Sequence, residues 1–392
     1  MATYRETAYG IQAIVYLGKD GHGKPVRPSK TFKSKKEAEL WVSEQLILRS
    51  KGISVTDSRM LLRDFMHKWY EDIGSKKSIN TSYNTKSRMN HHIIPELGHV
   101  PLYKLTPSVV QDFYNKLTEK GLKPSTKKKI METLSNALRY AIKLQLISYL
   151  PTDIEKESVK KNKISYWTFE ELTAFLEYTK NNWLYIPVYI MSMTGMRPAE
   201  LMGLQWKKID LDNRLIEINA QVINDKESKE LVLTDILKTE LSERVITIPQ
   251  ALTNALIDHK LRTSFNKRND FVITKRSGSM SSPDTFRTMF NKYLNKLRKE
   301  QKVNLIKDGY PSDEIEDLLI KEMPPYNLRH THATILLNNG ENIKVISERL
   351  GHKSVKTTMD TYASVMPKTR TKTADLLDNL FMRKDDDEKH KQ

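Results

Sequence analysis

The chain has 392 residues and contains no cysteine, which excludes disulfides, thiolate nucleophiles and cysteine-based zinc sites. It has no run of about 18 or more apolar residues and no signal-peptide pattern at its start, so we expect neither a membrane-spanning helix nor secretion. Its ten histidines show no H-E-x-x-H or similar ligand spacing. Any chemistry must therefore come from oxygen nucleophiles and cations, in a protein expected to be soluble and cytoplasmic.

The charge is strongly positive. Lysine and arginine outnumber aspartate and glutamate by 65 to 48, which gives a formal net charge of +17 and an isoelectric point near 9.5. Nucleic acid is the first candidate for the anionic partner, and the alternative, a membrane surface, has no apolar segment to support it. The length predicts two or three domains rather than a single core.

Within residues 1–55, apolar residues alternate with other residues in "IQAIVYL", as in a strand, and then recur at helical spacing in "SKKEAELWVSEQL". The pattern predicts a small sheet of two or three strands with one helix. Arg27 and Lys30 belong to a set of cations on this sheet, and such a ribbon is narrow enough to enter a DNA major groove. A solvated basic face accounts for these two residues equally well.

Residues 57–155 predict a compact helical domain. Within it, "KPSTKKK" places Lys127 and Lys128 near the start of a helix, where cations and free N–H groups could hold phosphates. Solvated lysines are the alternative. Residues 156–163, "KESVKKNK", lack apolar periodicity and predict a linker.

Residues 164–383 predict a second large domain, mostly helical, with strands at "LIEINA", "LVLTDIL" and "RVITIP". Residues 384–392 form a charged tail that we expect to be disordered. The predicted fold class is multidomain α+β, with an N-terminal sheet and helix, an all-helical middle, and a helical C-terminal domain that contains a small antiparallel sheet.

In "TGMRPAEL", Gly195 ends one helix and Pro198 starts the next, so Arg197 lies at a helix N-terminus. A guanidinium beside the positive end of a helix dipole is unfavourable unless an anion binds there, and a phosphate would satisfy both. Glu200 could orient this arginine. A simple surface ion pair between the two residues is the alternative.

Four other residues could take part in chemistry. Lys238 lies on a predicted hairpin and could donate a proton to a leaving oxyanion, although hairpin lysines often serve only solubility. Arg329 starts a helix in "YNLRHTHAT", and His352 directly follows the helix stop in "RLGHKS". Tyr362 ends "SVKTTMDTY" on an apolar helix face, a spacing that a core tyrosine would also show.

Five segments, taken in order, resemble the catalytic domain of the tyrosine recombinases, the phage-integrase family. They are "YWTFEEL", "TGMRPAEL", "LKTELSERVITIP", "NLRHTHAT" and "LGHKSVKTTMDTYASV". The resemblance extends over nearly the whole chain. The N-terminal sheet resembles the arm-site DNA-binding domain of the larger integrases, and the helical middle resembles their core-site binding domain.

The resemblance implies a role for each candidate. Tyr362 would be the nucleophile and Lys238 the general acid, while His352 would donate a hydrogen bond to the scissile phosphate. Arg197 and Arg329 would clamp that phosphate.

The sequence departs from the family at one position. Tyr326 stands where a histidine usually precedes the second arginine by three residues, and a phenol is a poor general base at neutral pH. The acceptor of the Tyr362 proton is therefore left open. His330 and His332 follow Arg329, and we expect both to be structural.

The implied reaction cuts and rejoins double-stranded DNA at attachment sites, to integrate and excise a prophage or mobile element. Two guanidinium groups can supply the charge stabilisation that metals supply elsewhere, and a phosphotyrosine conserves the ester bond energy. The resemblance thus implies no metal and no cofactor. It implies a homotetramer that acts through a Holliday junction, with residues 366–383 packing on a neighbouring subunit. An excisionase and a host DNA-bending protein are the accessory partners that it leaves open.

Two rival functions remain at this point. A noncatalytic DNA-binding regulator would keep the basic domains without needing the two arginines and Tyr362 together. A topoisomerase-like enzyme would nick and reseal one strand as a monomer, with no need for a sequence-reading sheet.

Overall fold

The computed structural model describes residues 2–17, 25, 27–50, 60–159, 164–235, 243–363 and 365. The chain divides between Lys161 and Asn162 into two compact units. The boundary lies inside the segment predicted to be a linker. Within the described ranges, no helix combines the length and apolar character needed to cross a membrane.

The first unit begins with an antiparallel three-stranded sheet in the order β1-β2-β3, followed by helix α1. Their bounds are Ala2–Thr7, Gly10–Val15, Ser29–Phe32 and Lys35–Ser50. The apolar face of β2 packs against α1 through Ala13, Val15, Ala38, Trp41 and Val42. The predicted sheet and helix are confirmed, because strand alternation and helical spacing each give one apolar face and these two faces bury one another.

In the rest of the first unit, the described residues form five α-helices with their own hydrophobic core. They are α2 (Leu62–Trp69), α3 (Ile79–Arg88), α4 (Ile94–Leu97), α5 (Pro107–Glu119) and α6 (Pro124–Lys143). Glu157 is attached to these helices, because Tyr114 Oη accepts the Glu157 N–H at 3.0 Å. Glu157 was assigned to the linker and is in fact attached to the helical core.

The second unit is mostly helical, as predicted, and its described residues form two small antiparallel sheets, one of order β4-β5-β8 and one of β6-β7. The strands are β4 (Ile209–Asp210), β5 (Leu215–Ile218), β6 (Ala220–Asn224), β7 (Leu231–Asp235) and β8 (Arg244–Thr247). The helices are α7 (Phe169–Thr179), α8 (Tyr185–Thr194), α9 (Pro198–Met202), α10 (Gln250–Arg262), α11 (Pro283–Lys307), α12 (Ser312–Leu318), α13 (Leu328–Asn338), α14 (Ile343–Leu350) and α15 (Val355–Tyr362).

Aromatic packing fixes the centre of this unit. Trp167, Phe175 and Phe290 are fully buried with ring centroids 4.9 to 5.5 Å apart. The Trp167 backbone N–H donates to Thr331 on α13 at 3.0 Å. The core thereby holds α13, which carries Arg329, against the start of the unit.

Candidate active site

Arg197 lies in the turn between α8 and α9. Helix α8 ends at Gly195, whose φ of 68° is the left-handed conformation that glycine adopts without strain. Pro198 then begins α9, and Glu200 reaches back to Arg197, accepting its backbone N–H at 2.9 Å and its Nη1–H at 2.6 Å. Arg197 remains 31% exposed. The predicted ion pair exists, and it leaves part of the guanidinium open to a ligand.

A second arginine holds the same carboxylate from the neighbouring strand. Arg244 on β8 donates to Glu200 through Nη2 at 2.7 Å and Nη1 at 3.3 Å, and its Nε donates to the Arg349 carbonyl at 2.7 Å. Burial opposes ionisation of Glu200, but the charge and hydrogen bonds of Arg244, followed by those of Arg197, lower its pKa below the ordinary value. Glu200 is therefore ionised and shared by two guanidinium groups.

Arg329 lies in the first turn of α13. It is 1% exposed and donates from Nη1 to the Gly195 carbonyl at 2.8 Å and from Nη2 to the Leu350 carbonyl. Burial and the nearby charge of Arg197 lower its pKa to about 10, so it stays charged at neutral pH. A guanidinium has five N–H donors, and these two bonds fix its plane while leaving others for a phosphate.

His352 follows α14 directly after Gly351, the left-handed residue that ends that helix. Its Nδ1 is 2.7 Å from Thr358 Oγ1. Burial, and then the charges of Arg329 and Arg197, lower its pKa to about 4. His352 is thus neutral at pH 7 and has one ring nitrogen engaged by the protein.

Tyr362 is the last residue of α15, and its ring is fully buried in a cluster with Ala333, Leu337, Ile346 and Leu350. Its hydroxyl is 2.8 Å from His330 Nδ1. Burial raises the pKa of this phenol above its ordinary value, and the charge of Arg329 offsets part of that rise. The two interpretations of this tyrosine are compatible, because its ring belongs to the core and its hydroxyl to the polar site.

Tyr326 lies in the turn of 3₁₀ helix, Pro325–Asn327, that precedes α13. It is 42% exposed, and its ring meets the His330 ring edge to face, with centroids 5.5 Å apart. The side chain that stands in place of the family's usual histidine therefore contacts a histidine one helical turn further along.

The structure brings Arg197, Arg329, His352 and Tyr362 together in one unit, with Glu200 as the support of Arg197. Lys238 lies outside the described residues. Within the part of the chain that is described, no group of three or more His, Asp or Glu side chains has an arrangement suited to a metal ion.

Sequence reasoning missed two residues of this site. Arg244 shares one face of β8 with Ile246, and with Ile248 directly after the strand, and both isoleucines are buried. A cation on the buried face of a strand requires a buried anion, and this signal was available in the sequence without saying which carboxylate supplies the charge. His330 was expected to be structural, and its contact with the Tyr362 hydroxyl was not foreseen.

Comparison with known proteins decides the family. The model of the phage integrase family matches residues 166–368, and that of the phage integrase N-terminal SAM-like domain matches residues 61–118. The chain belongs to the phage integrase family. It is accordingly an enzyme, a tyrosine-type site-specific recombinase.

Several proteins are similar to this integrase over most of their length. A XerC-like tyrosine recombinase from Caldanaerobacter subterraneus subsp. tengcongensis is 26% identical and covers 95% of this chain and 96% of its own. The ICEBs1 integrase of Bacillus subtilis is 28% identical, covering 77% and 78%. The transposase of transposon Tn916 from Enterococcus faecalis is 25% identical, covering 80% and 76%.

Solved structures share the fold. The Tn1549 transposon integrase in complex with a circular intermediate DNA has a TM-score of 0.68 and 21% identity, over 82% of this chain and 99% of that one. A lambda integrase tetramer bound to a Holliday junction has a TM-score of 0.53 and 17% identity, over 92% and 95%.

The predicted DNA-binding residues of this integrase differ in exposure. Arg27, Lys30 and Lys128 are exposed. Lys127 is 1% exposed, and its Nζ donates to Thr118 Oγ1 at 2.8 Å and to Glu157 Oε1 at 2.6 Å. The prediction for Lys127 is wrong, because α6 begins at Pro124 and its turn directs this side chain into the helical core.

Proposed function

We propose that this recombinase cuts and rejoins DNA through a 3′-phosphotyrosine at Tyr362, to integrate and excise a prophage or mobile element. The observation that carries the proposal is the position of the Tyr362 hydroxyl. The ring is buried among aliphatic side chains, yet its oxygen lies 2.8 Å from His330, the neighbour of Arg329 on α13. A tyrosine that served only the core would not need its hydroxyl among these groups.

In the proposed reaction, Tyr362 Oη attacks the scissile phosphorus and the 5′-oxygen leaves. Negative charge develops on the nonbridging oxygens, where Arg197 and Arg329 donate charge-assisted hydrogen bonds. His352 adds a hydrogen bond through the ring nitrogen that Thr358 does not engage, and Lys238 protonates the leaving oxygen. Attack by a 5′-hydroxyl on the phosphotyrosine reverses these steps and joins the new strands.

The pre-set geometry of the two arginines supports these roles. Glu200 and Arg244 fix Arg197, and two backbone carbonyls fix Arg329, so little reorganisation is needed when the phosphate arrives. Because one ester replaces another of similar energy, rejoining needs no nucleotide cofactor.

The substrate we propose is a pair of double-stranded attachment sites bound by a homotetramer. The support is the fold shared with integrases solved on DNA, one of them a tetramer on a Holliday junction, together with a net charge of +17. An excisionase and a host DNA-bending protein are candidate regulators of direction. The site of action would be the nucleoid in the bacterial cytoplasm.

We assign one task to each region of the chain. Residues 1–55 would bind arm sites, residues 57–155 would bind core sites, and residues 164–383 would carry catalysis and assembly, with 384–392 as a tail. Separate hydrophobic cores in the sheet region and in the helical region support the first division. Residues 366–392 lie outside the described residues.

Covalent trapping tests the proposal. The protein is incubated with attachment-site DNA of its element that carries a nick beside the exchange point, so that loss of a short fragment prevents rejoining. We expect a denaturation-resistant protein–DNA adduct that forms with a chelator present and is absent from Tyr362→Phe. Phenylalanine is a matched variant because it keeps the buried ring and removes only the hydroxyl.

The other outcomes identify the rival functions. Site-specific binding without an adduct in the wild-type protein would favour the noncatalytic regulator. Relaxation of supercoiled DNA that lacks any attachment site, at the rate seen with the site present, would favour the topoisomerase-like enzyme.

A further inference from the structure

His330, the histidine that contacts the Tyr362 hydroxyl, has no role in the reaction as proposed above. His330 Nδ1 lies 2.8 Å from Tyr362 Oη, and the two rings meet edge to face with centroids 5.6 Å apart. This distance is within the range in which a base can take a proton directly.

The other histidines near Arg329 are engaged elsewhere. His332 Nδ1 is 2.8 Å from the Ser192 carbonyl, and its Nε2 accepts from Arg349 Nε at 3.5 Å. His352 Nδ1 is bonded to Thr358. His330 is thus the imidazole that the described residues place on the nucleophile.

Helix geometry explains how α13 serves two functions. Successive residues of a helix point about 100° apart, so Arg329 turns toward Gly195 and Leu350 while His330 turns toward α15. Tyr326 comes four residues before His330 and packs its ring edge against that imidazole.

We propose that His330 accepts the Tyr362 proton during strand cleavage and returns it during strand joining. The assignment rests on the proposed function, since it needs Tyr362 to be the nucleophile. As the Oη–P bond forms, the Oη–H proton passes to the Nδ1 lone pair, and the P–O5′ bond breaks with its electron pair on O5′, which takes a proton from the general acid. In joining, Nδ1–H protonates Oη as the Oη–P bond breaks.

The surroundings of His330 favour the form that this step needs. Among the described residues, the ionisable groups around it are Arg329 on its own helix, Tyr326 from the preceding turn, Tyr362 from α15 and His352 after α14. Burial and then the charge of Arg329 lower its pKa to about 4, so the ring is neutral at pH 7, and in the tautomer with the proton on Nε2 its Nδ1 accepts from the Tyr362 hydroxyl. A phosphate bound to Arg329 offsets that positive charge and raises the basicity of His330 when substrate is present.

The test measures single-turnover adduct formation on the nicked attachment-site DNA for His330→Asn and His330→Ala. The asparagine side chain places a hydrogen-bonding group near the position of Nδ1 but cannot accept a proton at neutral pH. We expect both variants to slow cleavage by about 10²- to 10⁴-fold, the usual contribution of a general base, while binding of the same DNA stays within a few-fold of wild type. Wild-type cleavage by His330→Asn would overturn the assignment and leave His330 as a hydrogen-bonding support.

Two further measurements separate chemistry from folding. Imidazole added to His330→Ala should restore part of the rate, and the restored rate should rise with pH as the added imidazole loses its proton. The control is His332→Asn, the same change two residues along α13, which we expect to cleave within a few-fold of wild type and to gain nothing from imidazole. If imidazole fails to rescue an otherwise folded, DNA-binding His330→Ala protein, the assignment is contradicted.

A substrate with an activated leaving group locates the defect. On a duplex that ends in a 3′-p-nitrophenyl phosphate at the cleavage position, attack by Tyr362 releases p-nitrophenolate, which needs no proton to leave. His330→Asn should still be slow on this substrate, because the nucleophile still has to lose its proton. Release at the wild-type rate would instead place His330 on the leaving-group side. Absence of any adduct with the wild-type protein would contradict the proposed function itself. Cleavage at the wild-type rate by the His330 variants would contradict only the assignment of His330 as the base.

Discussion

Burial favours the neutral forms of Tyr362, His330 and His352, and it also lowers the pKa of Arg329, although not far enough to neutralise that guanidinium. It raises the pKa of Tyr362 and lowers those of His330 and His352. Among the described residues of the site, the charges that remain are the guanidinium groups of Arg197, Arg244 and Arg329 against the carboxylate of Glu200, an excess of two positive charges. A phosphodiester, and still more its doubly charged transition state, supplies the missing negative charge.

Arg244 is not assigned a contact with the substrate. Among such residues, it is the one whose substitution we expect to reduce stability and cleavage most. Arg244→Met keeps most of the side-chain length but leaves the buried Glu200 carboxylate with Arg197 alone. Removing one partner of a buried ion pair costs about 3–5 kcal/mol, so we expect a loss of that order in the free energy of unfolding, measured by urea denaturation. Cleavage should fall as well, because Arg197 is then less firmly oriented.

The control for this variant is Arg262→Met, which breaks the Arg262–Asp258 pair with side chains 77% and 57% exposed. An exposed pair contributes about 0–1 kcal/mol. Equal losses in the free energy of unfolding for the two substitutions would show that the burial of Glu200 does not make its ion pair with Arg244 more important for stability than an exposed pair.

The lowered pKa of His332 predicts that the stability of the folded protein depends on pH. Burial, and then the charge of Arg349, lower its pKa from 6.5 to about 4. Between these values the unfolded chain binds a proton that the folded chain excludes, so stability is full above pH 6.5 and falls as the pH drops toward 4. His332→Asn should flatten this part of the curve, measured as the calorimetric transition of the catalytic unit from pH 4 to 7. Parallel curves for the two proteins would contradict it.

The helices and strands were predictable from the sequence because the residues that form the buried face of each element are apolar and recur at the spacing of that element. The same spacing misled at Lys127, where a cation occupies a buried position of α6 together with Ile130 and Leu134. Only the partner residues, Thr118 and Glu157, explain why a lysine is tolerated there. The contact of Arg244 with Glu200 likewise joins residues 44 positions apart, and no local pattern encodes such a distance.

Gly195 is the position where the end of α8 meets the site. Its φ is +68°, and a Cβ built there would lie 2.8 Å from His332 Cδ2 and from Leu350 Cδ2, both buried. Gly195→Ala therefore adds a clash to backbone strain of about 1–2 kcal/mol, and it displaces the carbonyl that accepts from Arg329. We expect reduced stability in urea denaturation together with slower cleavage.

Gly340→Ala isolates the backbone contribution. Gly340 has a φ of +81° and no atom within 4 Å of a built Cβ, so this variant carries the strain without the clash. If both alanine variants lose the same stability and cleave alike, the close approach of His332 and Leu350 to Gly195 has no functional importance.

For the molecule as a whole, the net charge of +17 predicts that DNA binding depends strongly on salt. Each phosphate that a cation neutralises releases counterions, so the logarithm of affinity falls linearly with the logarithm of salt concentration, with a slope of about −0.9 per contact. This contribution is nearly independent of sequence. It should appear with attachment-site DNA and with unrelated duplexes alike.

Two adjacent lysines of α6 provide a test of which cations contribute to that slope. Lys128 is exposed, so Lys128→Ala should weaken binding to all sequences and reduce the slope by about 1 in fluorescence anisotropy titrations across NaCl concentrations. Lys127 is buried and donates to Thr118 and Glu157, so Lys127→Met should leave the slope unchanged and should instead reduce the stability of the helical region, residues 60–159.

A smaller slope for Lys127→Met would mean that this side chain leaves the core to contact DNA. An unchanged slope for Lys128→Ala would place the helical unit's phosphate contacts elsewhere on its surface.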